Sequence, residues 1–204
     1  MIMSISLDPI LTQREVPVLV ISNRSLCSGG RREFVQRIRL LRSPEASAVT
    51  AVILREKDLS QQEYRALAQD ILEGESETDA PLILHSFVNV ALELGCHAIH
   101  LPYIPFLGLT DAQREWFTTL GVSCHSVSEA LEAQRLGASY VTASHIFPTQ
   151  CKPGVPARGL DFLAEVTRQV DIPVYALGGI DEKNMAPCMD QGAKGVCVMS
   201  RAFL

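Results

Sequence analysis

No C-x-x-C pair occurs in the chain. The six cysteines, Cys27, Cys96, Cys124, Cys151, Cys188 and Cys197, stand apart from one another, which signals neither a structural zinc site nor a redox dithiol. Scattered thiols fit a reducing compartment. Basic charge is scarce as well: 18 Lys and Arg stand against 23 Asp and Glu, for a net charge of -5. A nucleic-acid partner is not expected, because binding one requires a cationic surface that displaces counterions from phosphates. No apolar run reaches membrane-spanning length, and the opening MIMSISLDPILTQREV carries Asp8, Arg14 and Glu15 instead of a basic stretch followed by an apolar one. No membrane partner and no export signal follow from this, and the expected location is cytoplasmic. No Pro/Gly/Ser-rich stretch divides the 204 residues, so one domain is expected across 1–204, with 1–15 as an N-terminal extension.

Eight apolar, β-branched runs are present: 16–22 (VPVLVIS), 48–54 (AVTAVIL), 81–86 (PLILHS), 97–102 (HAIHLP), 122–126 (VSCHS), 139–147 (SYVTASHIF), 173–179 (PVYALGG) and 195–200 (GVCVMS). Helix-period segments such as SQQEYRALAQDIL, VSEALEAQRLG and GLDFLAEVTRQV separate all but the first pair clearly. Strands buried on both faces with helices between them are the mark of a parallel α/β fold. Gly95, Gly121, Gly137 and Gly192 fall where helix C-caps belong, and Ser60, Ser128 and Asp181 where N-caps belong. Eight strands predict a single-domain (β/α)8 TIM barrel, with a doubly wound open sheet as the alternative. Only RAFL follows the eighth run, so the final helix is expected to be truncated or absent. The N-terminal segment or a second subunit, as in a homodimer, would cover the gap.

In a barrel, chemistry sits at the C-terminal ends of the strands. There the sequence offers Gly178, Gly179 and Ile180 after strand seven, and Met199 and Ser200 after strand eight. Backbone N–H groups of these two loops suit a phosphate, and glycine lets the backbone approach it; the plainer alternative is a tight β-to-α turn. His125 ends strand five, where an imidazole can move protons or, alternatively, cap the next helix. His145 is a second rim candidate, and His85 ends strand three. His100 reads as a core residue and His97 as surface. Arg55 and Lys57 follow strand two and supply cations for a phosphate or carboxylate, whereas Glu56 between them reads as surface charge. The loop PTQCKPGVPARG, with Lys152 and Arg158, has the composition of a lid over an anion. At the ends of strands three and four stand His85-Ser86 and Pro102-Tyr103; paired carboxylates for a divalent ion are lacking there, and no metal or other cofactor is expected.

Taken in order, VLVISNRSLC, ILREKD, LILHSFVNVALELGCHAIHLP, SCHSVSEALEA, IFPTQCKPG, ALGGI and GVCVMS resemble the thiamine-phosphate synthase superfamily from about Val16 to Ser200. The resemblance implies a phosphorylated thiazole or related small molecule as ligand. The superfamily's synthases join an aminopyrimidine pyrophosphate to a thiazole phosphate using Mg²⁺, and its tautomerases aromatise a carboxythiazole phosphate. Against the synthase pattern, His85 and Ser86 stand where I-N-D-R has Asn and Asp, and Pro102-Tyr103-Ile104 replaces G-Q-x-D. The segments S-H-I-F, C-K-P-G and A-R-G are more similar to the tautomerase branch. In that branch the match of His125 is the proton shuttle, so the resemblance implies a thiazole tautomerase-like isomerase. Its catalytic candidates are His125, Lys152 and His145, with Arg55, Lys57, His85 and Ser126 as substrate-binding candidates. The alternatives are a Mg²⁺-using thiamine-phosphate synthase and a non-catalytic regulator that binds thiamine-related phosphates.

Overall fold

A computed structural model describes residues 7–12, 15–150 and 153–203. The eight apolar runs are all strands: β1 (Val18–Ile21), β2 (Val49–Leu54), β3 (Leu82–His85), β4 (Ala98–Pro102), β5 (Thr119–Cys124), β6 (Tyr140–Ser144), β7 (Val174–Leu177) and β8 (Gly195–Val198). Each pairs in parallel with its sequence neighbours, and β8 closes on β1. The open-sheet alternative is thereby set aside, and the (β/α)8 barrel stands.

Alternation along each strand divides the apolar residues between two cores. Leu19, Ile21, Ala51, Ile53, Ile83, Tyr140 and Cys197 fill the barrel interior. Their strand neighbours, such as Val20, Val52, Leu84, Val141 and Val196, face the helices outside. The outer ring comprises α1 (Gly30–Arg42), α2 (Gln61–Leu72), α3 (Val88–Glu93), α4 (Tyr103–Leu107), α5 (Asp111–Trp116), α6 (Val127–Arg135), α7 (Gly159–Gln169) and α8 (Met185–Asp190). α2 starts at a capping box, in which the Ser60 hydroxyl accepts from the Glu63 amide while Glu63 accepts from the Ser60 amide.

Three local expectations need correction. A full helix, α1, separates the first two strands, burying Phe34, Val35, Ile38 and Leu41 at helical spacing. Gly121 does not cap a helix but lies within β5, which begins at Thr119. The N-caps of α6 and α8 are Ser126 and Asn184 instead of Ser128 and Asp181. Gly95, Gly137 and Gly192 do have the positive φ of C-cap glycines.

After β8 the described chain forms a 3₁₀ turn over Ser200–Ala202. The N-terminal segment lies on this side of the barrel. Asp8 pairs with Arg201 at 3.2 Å near the C-terminal end of β8, while the Leu11 carbonyl accepts from the amide of Ala48 just before β2. The segment buries Ile10 and Leu11 in the outer core. Arg37 of α1 donates to the Ala202 carbonyl at 2.6 Å, and Phe34 stacks on Phe203 at 5.8 Å. No helix among the described residues is long and apolar enough to cross a membrane.

Candidate active site

The strand ends open on one cavity of about 270 Å³. Ile21, Ile53, Leu177 and Cys197 give it an apolar floor, continuous with the barrel's inner core. Of the residues singled out from sequence, Arg55, Lys57, His85, His125, His145, Gly178, Gly179, Ile180, Met199 and Ser200 all line it. Ser126 is not among the lining residues: its hydroxyl accepts from the Glu129 amide at 3.1 Å and caps α6. Lys152 lies outside the described residues. Arg158 stacks over Phe162, 5.1 Å from the ring centroid, and is not among the residues lining the cavity.

One wall is formed by the turn after β7 and the end of β8. Gly178 and Gly179 have φ of 106° and 66°, backbone that an L side chain rarely adopts. Their backbone also passes against β6 and its loop, where a Cβ on Gly178 would overlap His145 and one on Gly179 would overlap Phe147 and Pro148. Asn184 fixes the turn by donating to the Gly179 carbonyl at 2.8 Å and accepting from the Asp181 amide at 2.9 Å. The amides of Gly179, Ile180 and Ser200 donate to no backbone carbonyl among the described residues. All three belong to the cavity wall, and such clustered donors suit phosphate oxygens.

Across the cavity, β5 presents Ser123 and, two residues on, His125, because inward-facing positions recur every second residue. The His125 Nδ1 lies 3.1 Å from the Ser144 carbonyl and 3.2 Å from the Ser144 hydroxyl. A carbonyl only accepts, so Nδ1 carries the proton. Nε2 is then the ring's free lone pair, without a protein partner among the described residues. Helix capping falls to Ser126, which leaves the imidazole for the cavity. His145 is more committed: its Nε2 lies 3.3 Å from the Val155 carbonyl, and its own carbonyl accepts from the Arg158 amide at 2.9 Å, so the residue anchors the loop after β6.

His85 and His100 stack at 5.8 Å, 4% and 2% exposed. Burial pushes the imidazole of His100 down to about 3; burial and then the neighbouring His100 depress His85 further. Both rings are therefore neutral near pH 7. His85 Nδ1 meets the Ser86 hydroxyl at 2.8 Å, with Ser86 at a φ of 68°.

Glu56, expected at the surface, is 3% exposed. It accepts from the Ser22 hydroxyl at 2.5 Å and from the Arg24 amide through both oxygens, at 3.2 and 3.1 Å. Burial raises its carboxyl above the usual range, and the Ser22 hydrogen bond opposes that shift. Ser22 in turn accepts from the Arg55 amide at 2.8 Å. This clasp holds the end of β1 to the segment that carries Arg55 and Lys57. Asp58 also pairs with Arg24. The described residues bring together no three His, Cys, Asp or Glu side chains able to hold a metal ion, and the carboxylates nearest this rim are already engaged. Among the described residues, no preformed cage of protein ligands for a divalent ion stands at this rim.

Residues 18–202 match the family model for thiamine monophosphate synthase. A thiamine-phosphate synthase from Clostridium tetani is 31% identical over 169 residues, 79% of this chain and 78% of that protein. One from Syntrophomonas wolfei is 29% identical over 196 residues, covering 93% and 90%. Among solved structures, a thiamine phosphate pyrophosphorylase from Pyrococcus furiosus superposes with a TM-score of 0.71 at 25% identity, over 92% of this chain and 87% of that one.

Proposed function

Because this chain belongs to the thiamine monophosphate synthase family, we propose that it acts on a phosphorylated thiazole of thiamine biosynthesis and moves a proton on the ring. The observation that carries this reading is one cavity holding both an imidazole with a free Nε2 and a wall of uncommitted amides. The phosphate is held by the amides of Gly179, Ile180 and Ser200, and Arg55 and Lys57 supply positive charge for a second anionic group such as a carboxylate. With the ligand fixed at two ends, His125 Nε2 takes a proton from one ring position and returns it to another; Ser144 keeps Nδ1 protonated throughout. The cycle ends with the imidazole as it began. Neutral His85 and His100 add no charge to the site.

A second reading has a specific observation in its favour. The relatives and the solved structure are named for thiamine-phosphate synthesis, and one of the relatives spans 93% of this chain; these likenesses speak for a synthase more directly than for an isomerase. Against it stand His85 and Ser86 at the end of β3 and the lack of free carboxylates for Mg²⁺ among the described rim residues.

The two readings separate in one experiment. Purified protein is given carboxythiazole phosphate in EDTA, and in parallel aminopyrimidine pyrophosphate with thiazole phosphate in Mg²⁺. Aromatisation in EDTA without thiamine phosphate formation is expected; Mg²⁺-dependent thiamine phosphate formation at ordinary enzyme rates would establish the synthase instead.

A further inference from the structure

Beneath His125 runs a hydrogen-bonded chain that the proposed proton transfer does not use. Tyr140 on β6, 6% exposed, places its hydroxyl 3.0 Å from His100 Nδ1. His100 Nε2 lies 2.8 Å from the Ser123 hydroxyl, and Thr142 donates to the same Ser123 oxygen at 3.3 Å. Room for the pair is made by Gly121, the strand partner of both His100 and Tyr140. A Cβ at that position would overlap the Tyr140 ring, its hydroxyl and His100 Nδ1. This close approach accounts for a glycine in the middle of β5.

The donors and acceptors settle the direction of the chain. The buried Tyr140 hydroxyl has His100 Nδ1 as its partner among the described residues. If Nδ1 donated, the phenol proton would be buried unpaired, which is costly. The phenol therefore donates, Nδ1 accepts, and the His100 proton sits on Nε2, from which it is given to Ser123. The Ser123 oxygen then accepts twice, from His100 and from Thr142, which uses both lone pairs and leaves its own proton to donate. Ser123 lines the cavity, so that proton is directed to whatever the cavity holds.

We propose that Tyr140 is a positioning residue: acting through the tautomer of His100, it turns the Ser123 hydroxyl into an obligate donor to an acceptor atom of the bound ligand, such as a carboxylate oxygen or a ring nitrogen. The ligand's identity rests on the function proposed above; the direction of the chain does not. Loss of Tyr140 leaves Nδ1 without its partner in either tautomer, so the Nε2 form is no longer fixed and part of the population carries the proton on Nδ1. Nε2 then accepts the Ser123 proton, and the ligand loses its donor although Ser123 is still present.

Nitrogen-15 NMR of histidine-labelled, ligand-free protein reads the tautomer directly. The expected state of His100 is neutral with the proton on Nε2 from pH 5 to 8, shifting toward Nδ1 in Tyr140→Phe. A wild-type protein with the proton on Nδ1 overturns the proposal, whatever the fate of the variants. Affinity for thiazole phosphate and carboxythiazole phosphate supplies the second readout. Ser123→Ala and Tyr140→Phe should each weaken binding of the ligand that meets Ser123 by roughly tenfold, the effect of one hydrogen bond. The double variant should be little worse than either single one, since Tyr140 acts through Ser123. Additive losses would make Tyr140 a merely structural residue and overturn the proposal. Failure of the wild-type protein to bind either ligand would refute the functional reading instead, with the tautomer measurement still deciding the direction of the chain.

Discussion

Lowering the pH from 7.5 to 5.5 should destabilise the fold through His85 and His100. An exposed imidazole in the unfolded chain titrates near 6.5, so at pH 5.5 each is about nine-tenths protonated when unfolded. In the folded barrel both remain neutral, because burial depresses His100 to about 3 and depresses His85 further. A folded-state pKa below the unfolded value gives stability that is complete above pH 6.5 and is lost as the pH falls toward the folded value. Each ring then contributes about 1.4 kcal/mol of lost stability between pH 7.5 and 5.5, and the pair about 2.7 kcal/mol. Glu56, raised mainly by burial, acts in the opposite sense as the pH falls. The informative quantity is therefore the difference between wild type and variant. Urea unfolding of wild type and His100→Gln at the two pH values provides it: the pH-dependent loss should shrink by about 1.4 kcal/mol in the variant. An unchanged loss would show that His100 takes up a proton in the folded state, and the neutral pair would have to be abandoned.

Gly179→Val should lower stability by about 2 kcal/mol or more, since φ is 66° there and the new side chain meets Phe147 and Pro148; thermal melts check this. The same variant should lose phosphorylated-ligand binding by calorimetry, and full affinity in a folded protein would remove the anion wall from the account. Glu56→Gln weakens the clasp with Ser22 and Arg24 and should cost about 1–3 kcal/mol in urea unfolding, the range for a buried polar group left without its partner. It should also raise the KM for ligand by loosening Arg55 and Lys57, with kcat changed less.

The barrel was legible because its eight strands are continuous apolar runs, whatever their exact limits. α1 was obscured by its five arginines, Arg31, Arg32, Arg37, Arg39 and Arg42, which break the apolar stripe to the eye. Yet Arg37 and Arg42 are themselves buried, at 5% and 1% exposure, and donate to the carbonyls of Ala202 and Ala80. The cavity positions of Gly178, Gly179, Ile180, Met199, Ser200 and His125 could be placed from strand ends alone. Ser123 could have been found from His125 by stepping back two residues along the strand. Glu56 could not, since its partner Ser22 is 34 residues away in the chain and nothing local announces the clasp. Gly121 was misread for a related reason: its cause is not a helix end but two rings on the neighbouring strands, which only the sheet register brings together.

The claim that His125 moves the proton is tested most directly by turnover of carboxythiazole phosphate in EDTA, comparing wild type with His125→Asn. The substitution keeps a polar side chain and leaves the amide wall untouched. The expected result is a kcat reduced by roughly 10²- to 10⁴-fold with KM little changed, the scale of a lost general acid–base. Near-wild-type turnover by a folded His125→Asn protein would contradict the account.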